Sequence, residues 1–380
     1  MKRHGMAAAI LSLAVLLAAC SPASEPVSGE PSAVSWDSLT VESGLDLQYA
    51  DQFTVDYYTG GYALIHIVDG NDYLVVPENK PVPDGLADTT VVLTQPLDHI
   101  YLVATSAMDL FCALDSIGSI RLSGTDERGW YIDEAKAAMQ NGAMLYAGKY
   151  SAPDYELIYA EQCDLAVEST MIYHSPEVKE QLERLGVPVL VERSSYESSP
   201  LGRMEWLKLY GVLLNREEAA EAIYQQALDS LRPVIEQENT GKAVVFFYIN
   251  SNGSANVRKS NDYVAKMIEM AGGTYIFSDL GNDNALSTMN MQMEMFYTGA
   301  KDADVIIYNS TIDGELHSID ELLAKSPLLA DFKAVRNGDV WCTGQNLFQS
   351  TMGLGDMILD IHAVLTEEAP EPLTYLHRLT

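Results

Sequence analysis

Arg216-Glu-Glu-Ala-Ala-Glu-Ala-Ile-Tyr-Gln-Gln-Ala-Leu-Asp-Ser-Leu-Arg-Pro-Val-Ile-Glu-Gln237 is the stretch whose reading decides the architecture of this 380-residue chain. Ala220, Ile223, Tyr224, Ala227 and Leu231 recur at the spacing of one helix face, and Asn215 stands as an N-cap with Glu218 three residues on. At 1.5 Å per residue such a helix spans roughly 33 Å, enough to join two lobes without belonging wholly to either. Pro233 lacks a backbone donor and bends or ends the last turns.

Working outward, both flanks alternate strand and helix. Before the helix come the apolar runs Ile100 to Ala104, Ile120 to Leu122, Met144 to Tyr146, Leu165 to Val167 and Val187 to Val191, with helices opening at Pro153 and Pro176. After it come strands at Ala243 to Ile249, Thr274 to Phe277, Val305 to Tyr308 and Val340 to Cys342, with helices at Asp262 to Ala271 and Met291 to Tyr297. That alternation predicts two parallel α/β lobes. The halves also share a signature. Glu156 on a short helix is followed by Asp164 and the strand from Leu165, and Glu294 is followed by Asp304 and the strand from Val305.

Trp36 to Gln95 follows a different pattern. Phe53 to Tyr58, Tyr62 to Val68 and Tyr73 to Val76 are strands separated by Gly-bearing turns, with Val91 to Leu93 as a further strand, so the front of the chain reads as an appended β-meander.

At the amino terminus Lys2 and Arg3 precede the apolar run Met6 to Ala19, and Leu17-Ala-Ala-Cys20 closes it. This is an export signal. It resembles the lipobox of bacterial lipoproteins, which implies cleavage before Cys20 and acylation of that cysteine. The Ser-, Pro- and Glu-rich segment behind it reads as a disordered tether. No later apolar run is long enough to cross a bilayer. The remaining cysteines, Cys112, Cys163 and Cys342, are odd in number, lack metal-site spacing and read as buried thiols.

The formal net charge is −31, which excludes nucleic acid as a partner and requires a local basic patch for any anionic ligand. The sequence has no Gly-x-Ser-x-Gly elbow, no His-Glu-x-x-His and no phosphate-cradling glycine loop, so no catalytic residue is assigned and an enzyme is not expected. His66, His99, His174, His317, His362 and His377 are scattered, so neither a bound metal ion nor another resident cofactor is assigned.

With its lipoprotein signal, its lobe–helix–lobe order and its paired Glu-bearing helices, the chain resembles the periplasmic binding proteins that serve ABC importers of iron complexes and cobalamin. The resemblance covers roughly residues 97 to 367. It implies an α/β fold of two Rossmann-like lobes joined by one long helix, here with an N-terminal β-rich extension. The chain then divides into a signal peptide (1–19), a tether (20–35), the β-meander (36–96), the N-terminal lobe (97–200), the run-in and inter-lobe helix (201–239) and the C-terminal lobe (240–380). The resemblance further implies a monomer on the outer face of the cell membrane, held by a lipid anchor. Glu156 and Glu294 would dock on arginines of a permease working with its ATPase.

Ligands of open parallel sheets bind where the carboxyl ends of the strands face a crevice. The candidates on those loops are Thr105, Ser106, Arg128, Trp130, Tyr150, Tyr173, Arg193 and Tyr196 in the first lobe. Asn250, Arg258, Trp341, Gln345 and Phe348 are their counterparts in the second. Arginine forks suit anionic oxygens and aromatic faces suit a large chelate. The expected ligand is an Fe(III)-siderophore or similar iron chelate, with a corrinoid or haem as the alternative.

Overall fold

The computed structural model describes residues 34–68, 70–281, 287–367 and 372–380; Cys20, and with it the expected lipidation site, lies outside the described residues. The first sheet holds β1 (Val41–Gly44), β2 (Phe53–Tyr58), β3 (Tyr62–Ile67), β4 (Asp72–Val76) and β5 (Thr90–Thr94) in that spatial order. It is not a pure meander: β5 runs parallel to β4, and β1 is an extra edge strand that is exposed throughout and so carries no alternating signal. Period-two patterning builds the sheet's inner face, since Phe53 and Val55 are buried between exposed Thr54 and Asp56.

The N-terminal lobe follows as β6 (Ile100–Leu102), α1 (Met108–Ala113), β7 (Ile120–Ser123), α2 (Asp133–Gln140) and β8 (Leu145–Tyr146). A two-residue-strand hairpin of β9 (Gly148–Lys149) and β10 (Ala152–Pro153) comes next, then α3 (Tyr155–Ala160), β11 (Leu165–Ser169), α4 (Pro176–Arg184) and β12 (Val189–Glu192). Its sheet is parallel throughout, in the order β12-β11-β6-β7-β8.

Two helices then make the connection between lobes, α5 (Pro200–Leu214) and α6 (Glu217–Ile235). Asn215 does not cap α6. It adopts φ 55° and ψ 48° and closes α5, a left-handed position that asparagine tolerates because its short polar side chain relieves the steric cost. α6 buries Ala220, Tyr224, Leu231 and Val234 on one face and ends two residues after Pro233. α5 is buried almost all round and touches α1 of the first lobe as well as α7 and α11 of the second, which are defined below. Gly211 lets the two helices close on one another, for a Cβ there would meet that of Ala220 at 2.7 Å.

The C-terminal lobe holds β13 (Ala243–Ile249), β14 (Ala255–Arg258), α7 (Tyr263–Met270), β15 (Thr274–Tyr275), β16 (Thr288–Met291), α8 (Met293–Ala300) and β17 (Val305–Tyr308). It ends with α9 (Ile319–Lys325), α10 (Lys333–Asn337), β18 (Val340–Thr343), α11 (Leu354–Thr366) and β19 (Leu376–Arg378). The order is β16-β14-β13-β17-β18-β19, with β15 beside β13; β13, β17 and β18 are parallel, while β14, β16 and β19 run against their neighbours. Met291 ends a strand rather than opening a helix, because Thr288–Met291 pairs with Ala255–Arg258. The long strand expected over Thr274 to Phe277 shortens to Thr274–Tyr275.

The main apolar core runs from Phe53 and Ile65 of the first sheet through Leu102, Trp206 and Tyr210 to Phe247 and Ile361, beside smaller clusters around Val189 in the first lobe and Tyr62 in the first sheet. The first sheet is therefore built into the molecule rather than hung from it. Its attachment is polar as well. Glu205 of α5, fully buried, accepts the N–H groups of Gln48 (3.0 Å), Tyr49 (2.8 Å) and Ala50 (2.9 Å). Glu197 accepts those of Asp51 (3.1 Å) and Gln52 (3.0 Å) together with the Trp206 indole (2.9 Å). Lys208 neutralises the seam, lying 3.2 Å from Glu205 and donating to the Asp46 carbonyl at 2.9 Å.

Candidate functional site

The lobes meet along the loops that leave the carboxyl ends of β6, β7 and β18. Thr351 donates its hydroxyl to the Ser106 carbonyl (2.7 Å), the Met352 N–H reaches the Asp109 carboxylate (2.7 Å), and the Gln349 amide bridges to Gly129 and Tyr131. The crevice between parallel sheets thus forms where strand order predicts it.

Beside these contacts stands a charged and aromatic group drawn from both lobes and from α5. Arg203, in the first turn of α5, donates to the carbonyls of Ser195 (2.7 Å) and Glu197 (3.2 Å) and lays its guanidinium 3.6 Å from the ring centre of Tyr263 at the start of α7. The Asp262 carboxylate caps α7 by accepting the Val264 N–H (2.9 Å), which fixes the Tyr263 ring in the first turn. Arg258, at the end of β14, faces Asp262 at 3.5 Å and lies 5.3 Å from the Phe348 ring. The Glu192 carboxylate, closing β12, accepts the Ser194 N–H at 2.9 Å. Burial pushes its pKa up, opposed by hydrogen bonds from Ser194 and Ser106 and by the charge of Arg203. Burial likewise lowers the pKa of Arg203 and raises that of Tyr263. Two guanidinium groups, Arg203 and Arg258, are thus held beside the aromatic rings of Tyr263 and Phe348, the chemistry by which a planar cationic fork can pair with anionic oxygens.

The nominated residues divide by where their side chains go. Ser106, Arg258 and Phe348 belong to this group, and Thr105 opens the same turn as Ser106. Arg128, Tyr173 and Tyr196 are exposed on rim loops, and Tyr150 packs half-buried against the outer layer of the first lobe. Gln345 holds its N–H on Glu315 (3.0 Å) beside the cleft segment, while Asn250 shapes the β13–β14 turn by accepting from Asn252 and Ser254. Arg193 is buried against the first sheet, 4.3 Å from the Tyr196 ring and 3.3 Å from Gln52.

Trp130 and Trp341 do not line the cleft. Each is 1% exposed and offers no open face to a ring system: Trp130 donates its indole N–H to Ser123 in the core, and Arg378 covers Trp341 at 4.7 Å. Their positions after or within strands point to the cleft, but large rings at strand ends also fill the layer beneath the loops. Arg203 and Tyr263, by contrast, join the site without a sequence signal that names them. Pro200 to Gly211 reads as a run-in to a helix, and Arg203 is one of three charged residues in it, with Glu205 and Lys208, so nothing singles it out.

Of the groups that bind metals, Asp98, His99 and Asp164 lie together at the opposite, amino ends of β6 and β11, away from the cleft. Cys112, Cys163 and Cys342 carry free thiols whose pKa values burial pushes up to about 12, about 12 and about 11.

Two α/β lobes closing on a charged crevice define a solute-binding protein. Residues 123–347, more than half of the chain, match the sequence model of the periplasmic binding protein family, and the chain belongs to that family. An uncharacterized lipoprotein of Methanocaldococcus jannaschii is 26% identical over 353 residues, covering 87% of this chain and 82% of that protein. Among solved structures, the periplasmic haem-binding protein HutB of Vibrio cholerae superposes with a TM-score of 0.56 at 17% identity, over 71% of this chain and 98% of its own. The periplasmic catecholate-siderophore binding protein VctP of Vibrio cholerae does so at 0.56 and 17%, over 71% and 95%. These likenesses establish the shared two-lobe fold.

Proposed function

We propose that this protein is the solute-binding component of an ABC importer, held outside the cell membrane by a lipid on Cys20, and that it captures an Fe(III)-siderophore or similar iron chelate between its lobes. The observation that carries the reading is the pairing of Arg203 on Tyr263 and Arg258 near Phe348 beside the inter-lobe contacts, a cationic and aromatic group inside a chain of net charge −31. In so acidic a protein a local arginine pair is where an anionic chelate finds attraction. The catecholate-siderophore protein of similar fold, and the lipoprotein of similar sequence, support the reading. Glu156 and Glu294, each exposed in the first turn of its helix in corresponding parts of the lobes, serve as the docking points for a permease.

The test is a thermal-shift and fluorescence titration of the chain from Ser21 onward with ferric hydroxamates, ferric catecholates, haem and cobalamin. One iron chelate should stabilise the protein by about 2.7 kcal/mol at a hundredfold excess over Kd. Stabilisation by haem or cobalamin alone would move the cargo to a macrocycle, and silence across the panel would overturn the chelate reading.

A further inference from the structure

Gln349 lies in a turn closed by its own N–H on the Asn346 carbonyl (2.9 Å), within the segment that leaves β18. Its side chain crosses the cleft: Nε2 donates to the Gly129 carbonyl at 2.8 Å and Oε1 accepts the Tyr131 N–H at 2.8 Å. One amide thereby makes the two-bond pairing that a facing strand would make. Both partners flank Trp130, whose buried ring and indole bond to Ser123 fix the loop in the first lobe. The far end of that loop is closed by Asp126, whose carboxylate accepts the N–H groups of Arg128 (2.9 Å) and Gly129 (3.2 Å). On the other side the segment is anchored in the second lobe by the Gln345 N–H on Glu315 (3.0 Å) and the Gly344 N–H on the Tyr375 carbonyl (2.9 Å).

The other inter-lobe bonds of this segment lie beside elements that pack on the connection: Thr351 bonds to Ser106, just before α1, and Met352 to Asp109 on α1, and both α1 and α11 touch α5. Rotation of the lobes about α5 strains contacts in proportion to their distance from it, so the Gln349 bridge breaks first on opening and forms last on closing.

We infer that Gln349 is the latch of the cleft, a positioning residue that holds the Asp126–Tyr131 loop, and with it Arg128, against the ligand space when the lobes are together. The chemistry of glutamine is specific to the role. Glutamate keeps the acceptor for Tyr131 but loses the donor for Gly129, asparagine is one methylene too short for both, and alanine removes both.

The experiment needs no ligand, so its failure is distinct from failure of the chelate reading. Spin labels are placed on Asp133→Cys in the first lobe and Ser251→Cys in the second, both exposed, in the chain from Ser21 onward, which lacks Cys20, with Cys112→Ala; Cys163 and Cys342 are buried. Pulsed dipolar distance measurement should give one narrow population for the parent. Gln349→Ala and Gln349→Glu should each add a longer population, displaced by several Å, with the melting temperature unchanged. Distance distributions of both variants that superimpose on the parent would overturn the inference. So would broadening that appears only with a matching fall in melting temperature, since Gln349 would then be a structural contact.

Discussion

Asp164 and Asp304 hold the same place in the two lobes. Each precedes a strand and grips the start of the first strand of its own lobe. The Asp164 carboxylate accepts the N–H of His99 at 2.9 Å, and that of Asp304 accepts the N–H of Ala243 at 2.8 Å. The main chain returns the bond in both cases, from Asp164 N–H to His99 and from Asp304 N–H to Ala243. They differ at the second oxygen. Lys333 takes that of Asp304 at 2.5 Å, while that of Asp164 is buried without a partner.

The difference predicts opposite pH behaviour. Burial pushes the Asp304 carboxyl up, but its hydrogen bonds from Lys333 and Ala243 and the nearby lysine charge hold it below the usual value. Its contribution is full above about pH 4 and is lost as pH falls through the depressed pKa. Burial raises the Asp164 pKa, outweighing its bonds from His99 and Asp98, so the folded protein is favoured there at low pH and loses that advantage as pH rises. Thermal melts at about pH 7 should show Asp304→Asn clearly destabilised and Asp164→Asn much less so, with the Asp304→Asn deficit shrinking at about pH 3.5.

Glu168, at the carboxyl end of β11, is fully buried with both oxygens unpartnered, and burial raises its pKa to about 8. The native state therefore holds a proton that the unfolded chain releases near its ordinary value of 4.5, and stability falls as pH climbs from there toward about 8. Glu168→Gln should flatten that slope in urea titrations. At about pH 8 it should stabilise the protein by about 4 kcal/mol, since each tenfold difference in proton affinity between folded and unfolded chains is worth roughly 1.4 kcal/mol. An unchanged pH profile would show that the carboxyl finds a partner.

The seam on Glu205 should be costly to break. Glu205→Ala leaves three N–H groups and Lys208 without their buried acceptor and should cost about 3–5 kcal/mol in urea unfolding. Hydrogen exchange should quicken first at Gln48, Tyr49 and Ala50.

For an anionic chelate, Arg258→Ala should weaken binding by about tenfold or more, equivalent to at least about 1.4 kcal/mol. Arg193→Ala should change affinity far less, because that side chain is engaged by Gln52 and Tyr196 on the side of the first sheet. Isothermal titration of both variants separates the two.

Charge reversal of Glu156 and Glu294 together should abolish permease-dependent uptake in reconstituted vesicles while ligand affinity stays at the parent value. An equal loss of affinity would place these carboxylates in the ligand site and remove the docking role.

The alternation of apolar runs made the parallel sheet of the first lobe and the parallel strands β13, β17 and β18 of the second legible, because period and spacing encode them directly. It did not show the antiparallel strands β14, β16 and β19, and Arg258 ends one of these rather than lying on a loop. The sequence did not reveal that Asn215 ends one helix instead of starting the next, since asparagine suits both an N-cap and a left-handed closure and only the buried length of Pro200–Leu214 decides. Nor could Arg203 be told from a surface arginine within that segment. Its role depends on Tyr263, brought beside it by folding from about sixty positions away. Trp130 and Trp341 fail for a related reason: position along a strand fixes the backbone's place, while ring direction is set by which face packs inward.

Glu205 and Glu197 grasp residues 48–52 only through main-chain amides. The grip of these two carboxylates is therefore indifferent to side-chain identity, provided no proline removes an N–H, although the side chains of Ala50, packed on the core, and Gln52, bonded to Arg193, contribute on their own account. Positions 48, 49 and 51 are open to sequence drift, or to grafted residues, without breaking these bonds, whereas Gly202, whose added Cβ would meet the Tyr49 carbonyl oxygen at 2.8 Å, is not.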